Sequence, residues 1–67
     1  MKIKLNNVEF PLTEGISLHQ FLAERALHDI KGTAVALNGA VIPRAMWVKR
    51  ELKNNDSILM ITASQGG

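Results

Sequence analysis

Ile58-Leu59-Met60-Ile61-Thr62-Ala63, running into Ser64-Gln65-Gly66-Gly67, is the stretch on which the fold turns. Its β-branched residues and unbroken apolar run suit a strand in the middle of a sheet. Ile58, Met60 and Thr62 alternate with Leu59, Ile61 and Ala63, so both faces of that strand carry apolar side chains. The four residues after it have almost no bulk. Fully extended they would reach roughly 13–14 Å beyond the domain. Glycine admits nearly any backbone angle. Such a tail could enter a narrow channel with the α-carboxylate of Gly67 at its tip. The expected division is a folded unit over residues 1–63 and a flexible tail over 64–67.

Working back from that strand, Thr33-Ala34-Val35-Ala36-Leu37 and Ala40-Val41-Ile42 read as two strands joined by Asn38-Gly39. Both turn residues tolerate positive φ, a strong hairpin signal. Lys2-Ile3-Lys4-Leu5-Asn6 alternates, with Ile3 and Leu5 inward. Asn6-Asn7 reads as a second tight turn. Val8, Phe10 and Leu12 share one face of the returning strand. Pro11, lacking an N–H, places that strand at a sheet edge.

Ser17 opens the helix, with Gln20 three residues on as a capping box. Leu18, Phe21, Leu22 and Ala26 give a helical stripe. The spacing predicts a helix ending near His28-Asp29, with Lys31-Gly32 turning the chain. His19 and His28 are expected as exposed helix residues. Arg44-Ala45-Met46-Trp47 reads as one irregular helical turn, Trp47 and Leu52 as core residues, and Asn54-Asn55-Asp56 as a turn. One helix covers only one face of such a sheet. One of the two apolar faces of the final strand is then left over, either under loops or as a docking surface.

Composition narrows the chemistry. The chain has 67 residues, 46% hydrophobic, with a net charge of +2 and no cysteine. That describes one small domain without disulfides, thiol nucleophile or Cys-based metal site. Lys49-Arg50-Glu51-Leu52-Lys53 is the densest basic stretch and reads as a solvated loop. No apolar run approaches the roughly 18 residues of a membrane span. The first residues have no signal-peptide pattern, so the expected location is the cytoplasm. No glycine-rich phosphate loop, nucleophile triad or acid–base carboxylate pair is evident, which argues against an autonomous enzyme.

Val35-Ala36-Leu37-Asn38-Gly39, Val41-Ile42-Pro43-Arg44, Trp47, Asp56 with Ile58 and Met60, and the terminal Gln65-Gly66-Gly67 together resemble the ThiS sulfur carrier proteins of thiamin biosynthesis. The resemblance spans the chain. It implies an α+β, ubiquitin-like β-grasp fold, a mixed four- to five-stranded sheet packed on one main helix. It implies a carrier rather than a catalyst. An E1-like, ThiF-type adenylyltransferase would use ATP to adenylate the carboxylate of Gly67. Sulfur from a cysteine desulfurase relay would convert it to a thiocarboxylate. A ThiG-type thiazole synthase would accept that sulfur. Gln65 and Gly66 would enter the partner's active site, with Leu59 and Ile61 as the docking pair. No cofactor or metal bound by the chain itself, no nucleic acid and no membrane are implied.

Two departures from the family pattern stand out. Asn55 occupies a position often held by Gly, and Ser64 one often held by an apolar residue. The small subunit of molybdopterin synthase and a ubiquitin-like protein modifier are the nearest alternatives. An S4-type RNA-binding module shares the Asn-Gly hairpin and the basic loop, but opens with helices and has no use for a diglycine end.

Overall fold

The computed structural model describes residues 1–62. Ala63, Ser64, Gln65, Gly66 and Gly67 lie outside the described residues, and the expectations placed on the tail lie there with them. Five strands are formed: β1 (Lys2–Leu5), β2 (Val8–Pro11), β3 (Thr33–Leu37), β4 (Ala40–Val41) and β5 (Ser57–Thr62). One α-helix, α1 (Leu18–Ala23), and one 3₁₀ turn (Arg44–Met46) complete the order. The sheet runs β2-β1-β5-β3-β4. β1 and β5 pair in parallel, while the other neighbours are antiparallel. The first and last strands therefore lie side by side inside the sheet, and the apolar run of β5 is central as its composition implies.

Local chemistry explains the turns. Asn6 and Asn7 adopt φ of 50° and 70°, and Asn38 and Gly39 adopt 52° and 87°. Consecutive positive φ makes these the primed turns that match strand twist. Pro11 ends β2 on the outer edge, where its missing N–H costs no ladder bond. Asn6 has a second task. Its N–H donates to the Ile58 carbonyl at 2.9 Å and its side-chain Oδ1 accepts from the Met60 N–H at 2.8 Å. The side chain thus continues the β1–β5 pairing one residue past the end of β1.

The core lies between α1 and the sheet. Ile3, Leu5, Val35, Leu37 and Ile58 come from the strands, Leu18, Phe21 and Leu22 from the helix, and Leu12, Ile16, Trp47 and Leu52 from connectors. Phe10 meets Phe21 edge to face with centroids 6.2 Å apart. The Arg25 guanidinium lies 3.7 Å from the Phe21 ring centroid, covering that end of the core.

The segment after the 3₁₀ turn holds the start of α1. Helix N-termini leave backbone N–H groups without partners. Here the Leu18 N–H donates to the Arg50 carbonyl at 2.8 Å and the His19 N–H to the Trp47 carbonyl at 3.1 Å. The Gln20 N–H donates to the Ser17 hydroxyl at 3.0 Å, the cap expected from the sequence.

Two expectations need correction. The helix stops at Ala23 rather than near His28-Asp29. Ala26 sits at φ 57°, and around it the Ala26 N–H donates to the Ala23 carbonyl and the Leu27 N–H to the Leu22 carbonyl. This is the paired closure of a Schellman motif, with Leu27 packed on the core. Nothing in an alanine announces it. Secondly, His19 lies on α1 as expected but is not exposed, and His28 lies beyond the helix end. The early stop folds the chain back, so both are half-buried and their rings meet at 5.4 Å. Val8 shares a face with Phe10, as the alternation placed it, but at the start of this edge strand it is 56% exposed.

A left-handed alanine costs roughly 1–2 kcal/mol that glycine does not incur. Ala26→Gly should therefore stabilise the protein by about 1 kcal/mol, raising the thermal midpoint by roughly 4–8 °C. A calorimetric midpoint at or below wild type would contradict the strain at Ala26.

Candidate functional site

The sheet face opposite α1 is defined by register. Ala36 pairs with Leu59 on one side and Val41 on the other, and Ala34 pairs with Ile61. Cross-strand partners share a face. Val41, Ala36 and Leu59 therefore form one row and Ala34 with Ile61 the next. Leu59 is 48% exposed, Ile61 52% and Val41 68%. No described loop covers this strip, so among the described residues it is an open apolar surface rather than one held under loops.

Leu59 and Ile61 thus lie together on the central strand, on the exposed face; the alternation had paired them, and the resemblance had singled them out as the outward pair. Gln65, Gly66 and Gly67 follow β5 in sequence but lie outside the described residues. Val41, Ala34 and Ala36 widen the apolar strip beyond the two residues singled out by sequence. The signal was present in the alternation of 34–37 and in the hairpin register set by Asn38-Gly39. Across β1 and β2 the same face turns polar, with Lys2, Lys4, Glu9 and Ser57. Lys2 and Glu9 form an exposed ion pair at 3.5 Å.

What keeps β5 in place is a polar clasp at its start. Among the described residues Asp56 is the one charged residue that is buried. Its Oδ1 accepts from the Asn38 side-chain amide at 2.9 Å, and its Oδ2 from the Lys53 N–H at 2.7 Å. Asn38 Oδ1 in turn accepts from the Ser57 N–H at 2.9 Å. The turn between β3 and β4 is thereby tied to the first residue of β5. Hydrogen bonds to a charged group are worth about 1.5–3 kcal/mol each. The clasp fixes the register that sends Leu59 and Ile61 outward.

Arg44 clasps the other end. Its guanidinium donates to the His28 and Ile30 carbonyls at 3.0 Å each and lies 4.9 Å from the Trp47 ring centroid. The Pro43-Arg44 and Trp47 pattern therefore has a structural cause, holding the connector after α1. Trp47 itself is 1% exposed and donates Nε1–H to the Ile42 carbonyl at 2.8 Å. Among the described residues no cluster of three or more His, Asp or Glu side chains could hold a metal ion. Nor is any described helix long and apolar enough to cross a membrane.

Parallel first and last strands at the centre of a mixed sheet, one helix across one face and an apolar strip open on the other, define a small β-grasp protein of the ubiquitin-like kind. Known proteins agree. The profile of the ThiS family matches residues 3–67. The sulfur carrier protein ThiS of Escherichia coli (strain K12) is 28% identical over 67 residues, covering 100% of both chains. The crystal structure of the thiamine biosynthesis protein (ThiS) from Geobacter metallireducens superposes with a TM-score of 0.84 at 20% identity, over 100% of each chain. A solution structure of a thiamine biosynthesis protein from the same organism gives 0.72 at 22% identity, over 100% of this chain and 88% of that one. The chain belongs to the ThiS family.

Proposed function

We propose that this protein is a cytoplasmic sulfur carrier for thiazole formation in thiamin biosynthesis, and that the group it carries is the carboxylate of Gly67. The observation that carries this reading is the exposed Leu59–Ile61 strip on β5, in a family match that runs on through Gly67. A rigid strand with an apolar docking face leads directly into a chain end without bulk.

A carboxylate is a poor acyl donor. An E1-like adenylyltransferase would supply the leaving group: a Gly67 carboxylate oxygen attacks the α-phosphorus of ATP and pyrophosphate departs. A persulfide sulfur fed by a cysteine desulfurase then attacks the acyl carbon and displaces AMP, giving an acyl disulfide. A second thiol of the partner attacks the distal sulfur, forming a disulfide on the partner and releasing the thiocarboxylate. Thiazole synthase takes that sulfur. In this scheme the nucleotide and the catalytic groups belong to the partners. This chain contributes position, with Leu59 and Ile61 docking and Gln65 and Gly66 passing through the partner's channel.

The test is a reconstituted thiazole synthesis with and without the chain. Sulfur should enter the thiazole only when the carrier is present. Equal synthesis in its absence would overturn the reading, and isopeptide adducts on lysines in place of thiazole would favour a protein modifier. In the same assay, Leu59→Asp with Ile61→Asp should lower transfer by roughly 10–100-fold, the effect of losing about 1.4–2.8 kcal/mol of docking energy. Neither side chain belongs to the buried core, so the doubly substituted chain should stay folded, with a loss limited to about 1 kcal/mol per aspartate in the strand. Unchanged transfer would show that the strip is not the docking face.

A further inference from the structure

We propose that the β4 edge binds an extended acidic segment of a partner protein through an apolar anchor side chain. Three observations converge there, on the side of the fold away from β2. The first is a free backbone edge. The Ile42 N–H donates to the Val35 carbonyl at 2.9 Å, directly across the hairpin. In an antiparallel ladder, bonded and non-bonded pairs alternate. Val41, one residue earlier and opposite Ala36, is therefore a non-bonded pair, and its N–H and C=O point off the edge of the sheet.

The second is a depression beside that edge. Ile42, Pro43 and Met46 form an apolar floor, with Met46 48% exposed. Pro43 offers no N–H, so nothing polar on its nitrogen competes for the space. The third is charge. Lys49 and Arg50 complete the lining, and among the described residues neither has a carboxylate within ion-pairing distance.

Each feature selects one property of the occupant. The exposed Val41 peptide unit selects an extended backbone, which can exchange a pair of hydrogen bonds as an added strand. The apolar floor selects an aliphatic side chain next to it. The rim cations select carboxylates flanking that side chain. A nucleic acid would satisfy the cations but leave the apolar floor and the strand edge unused. Because β4 spans only Ala40–Val41, the added strand is short and the binding weak and exchangeable.

The experiment is an amide and methyl NMR titration of the full chain with a capped synthetic peptide in which Leu-Ile is flanked on both sides by Asp-Glu. The Val41 amide and the Met46 methyl should shift together and saturably. A peptide with Lys-Lys flanks should leave both unmoved. Lys49→Glu with Arg50→Glu should weaken binding roughly tenfold; the amide spectrum should otherwise match wild type, since both side chains are exposed. Absence of shifts at about 1 mM acidic peptide would overturn the proposal. So would a response confined to Lys49 and Arg50 with single-stranded RNA, or Val41 shifts that follow protein concentration alone, the sign of a second copy pairing at this edge.

Discussion

Removing Gly67 is expected to abolish loading and sulfur transfer, lowering both at least a thousandfold, while leaving the folded domain unchanged. The deletion moves the terminal carboxylate onto Gly66 and pulls it back by roughly 3.3–3.6 Å, one extended residue. Adenylation requires the attacking oxygen in line with the phosphorus. A misplacement of about 1 Å can cost a hundredfold, so a displacement more than three times larger leaves no productive alignment. The strip that docks would still dock. Binding to the activating enzyme should therefore survive while turnover is lost, and the truncated chain should act as a competitive inhibitor. Its thermal midpoint should match wild type, since among the described residues the buried core ends at Ile58, with only Met60 packed on it beyond. The comparison requires loading, binding and stability measured on the same protein. Residual turnover above about a tenth of wild type would separate the activity from Gly67.

Trp47→Ala should remove most of the stability of the fold. Replacing a buried tryptophan by alanine costs about 3–5 kcal/mol through lost contacts and the cavity left behind. At roughly 0.05–0.15 kcal/mol per residue, a chain of 67 residues has about 3–10 kcal/mol in all. The variant should be partly or wholly unfolded at room temperature. Geometry makes this site worse than its volume alone implies. The same residue places the carbonyl that receives the His19 N–H at the start of α1. Its ring also lies under the Arg44 guanidinium, which holds the connector carbonyls of His28 and Ile30. Trp47→Phe isolates one part of this. It keeps much of the packing but leaves the Ile42 carbonyl without its indole donor, at a cost of about 1–3 kcal/mol. Urea unfolding should place the midpoints in the order wild type, Trp47→Phe, Trp47→Ala. Near-equal midpoints would mean that the connectors do not organise the core.

The strands were legible because their chemistry is redundant. Alternation in Lys2–Leu5, two turns built on asparagine, and Pro11 on an edge each point to the same sheet. The unbroken run at Ile58–Thr62 then had to be central; its alternation separated Leu59 and Ile61 from Ile58 and Met60, but only the resemblance said which pair faced outward. The helix end was not legible. Its closure depends on Ala26 taking a left-handed angle that alanine does not advertise, while Gly32, also at positive φ, offered a plausible but later stop. From that one mistaken boundary follows the misplacing of His28, which the early turn returns to His19. Arg44 and Asn38 stood out in sequence as parts of a resemblance, yet a sequence cannot show which carbonyl or carboxylate such a side chain reaches. Those partners are long-range: Arg44 holds His28 and Ile30, and Asn38 meets Asp56 and Ser57. Val8 lies on the face the alternation gave it, yet alternation predicts a face and not a depth, and that residue is exposed.

The most direct measurement is the intact mass of the full chain after incubation with its E1-like partner, ATP and a sulfur source. A gain equal to one sulfur replacing one oxygen, located by fragmentation to Gly67 and absent without ATP, is the predicted result. An unchanged mass under turnover conditions, or sulfur located on any other residue, would contradict the account.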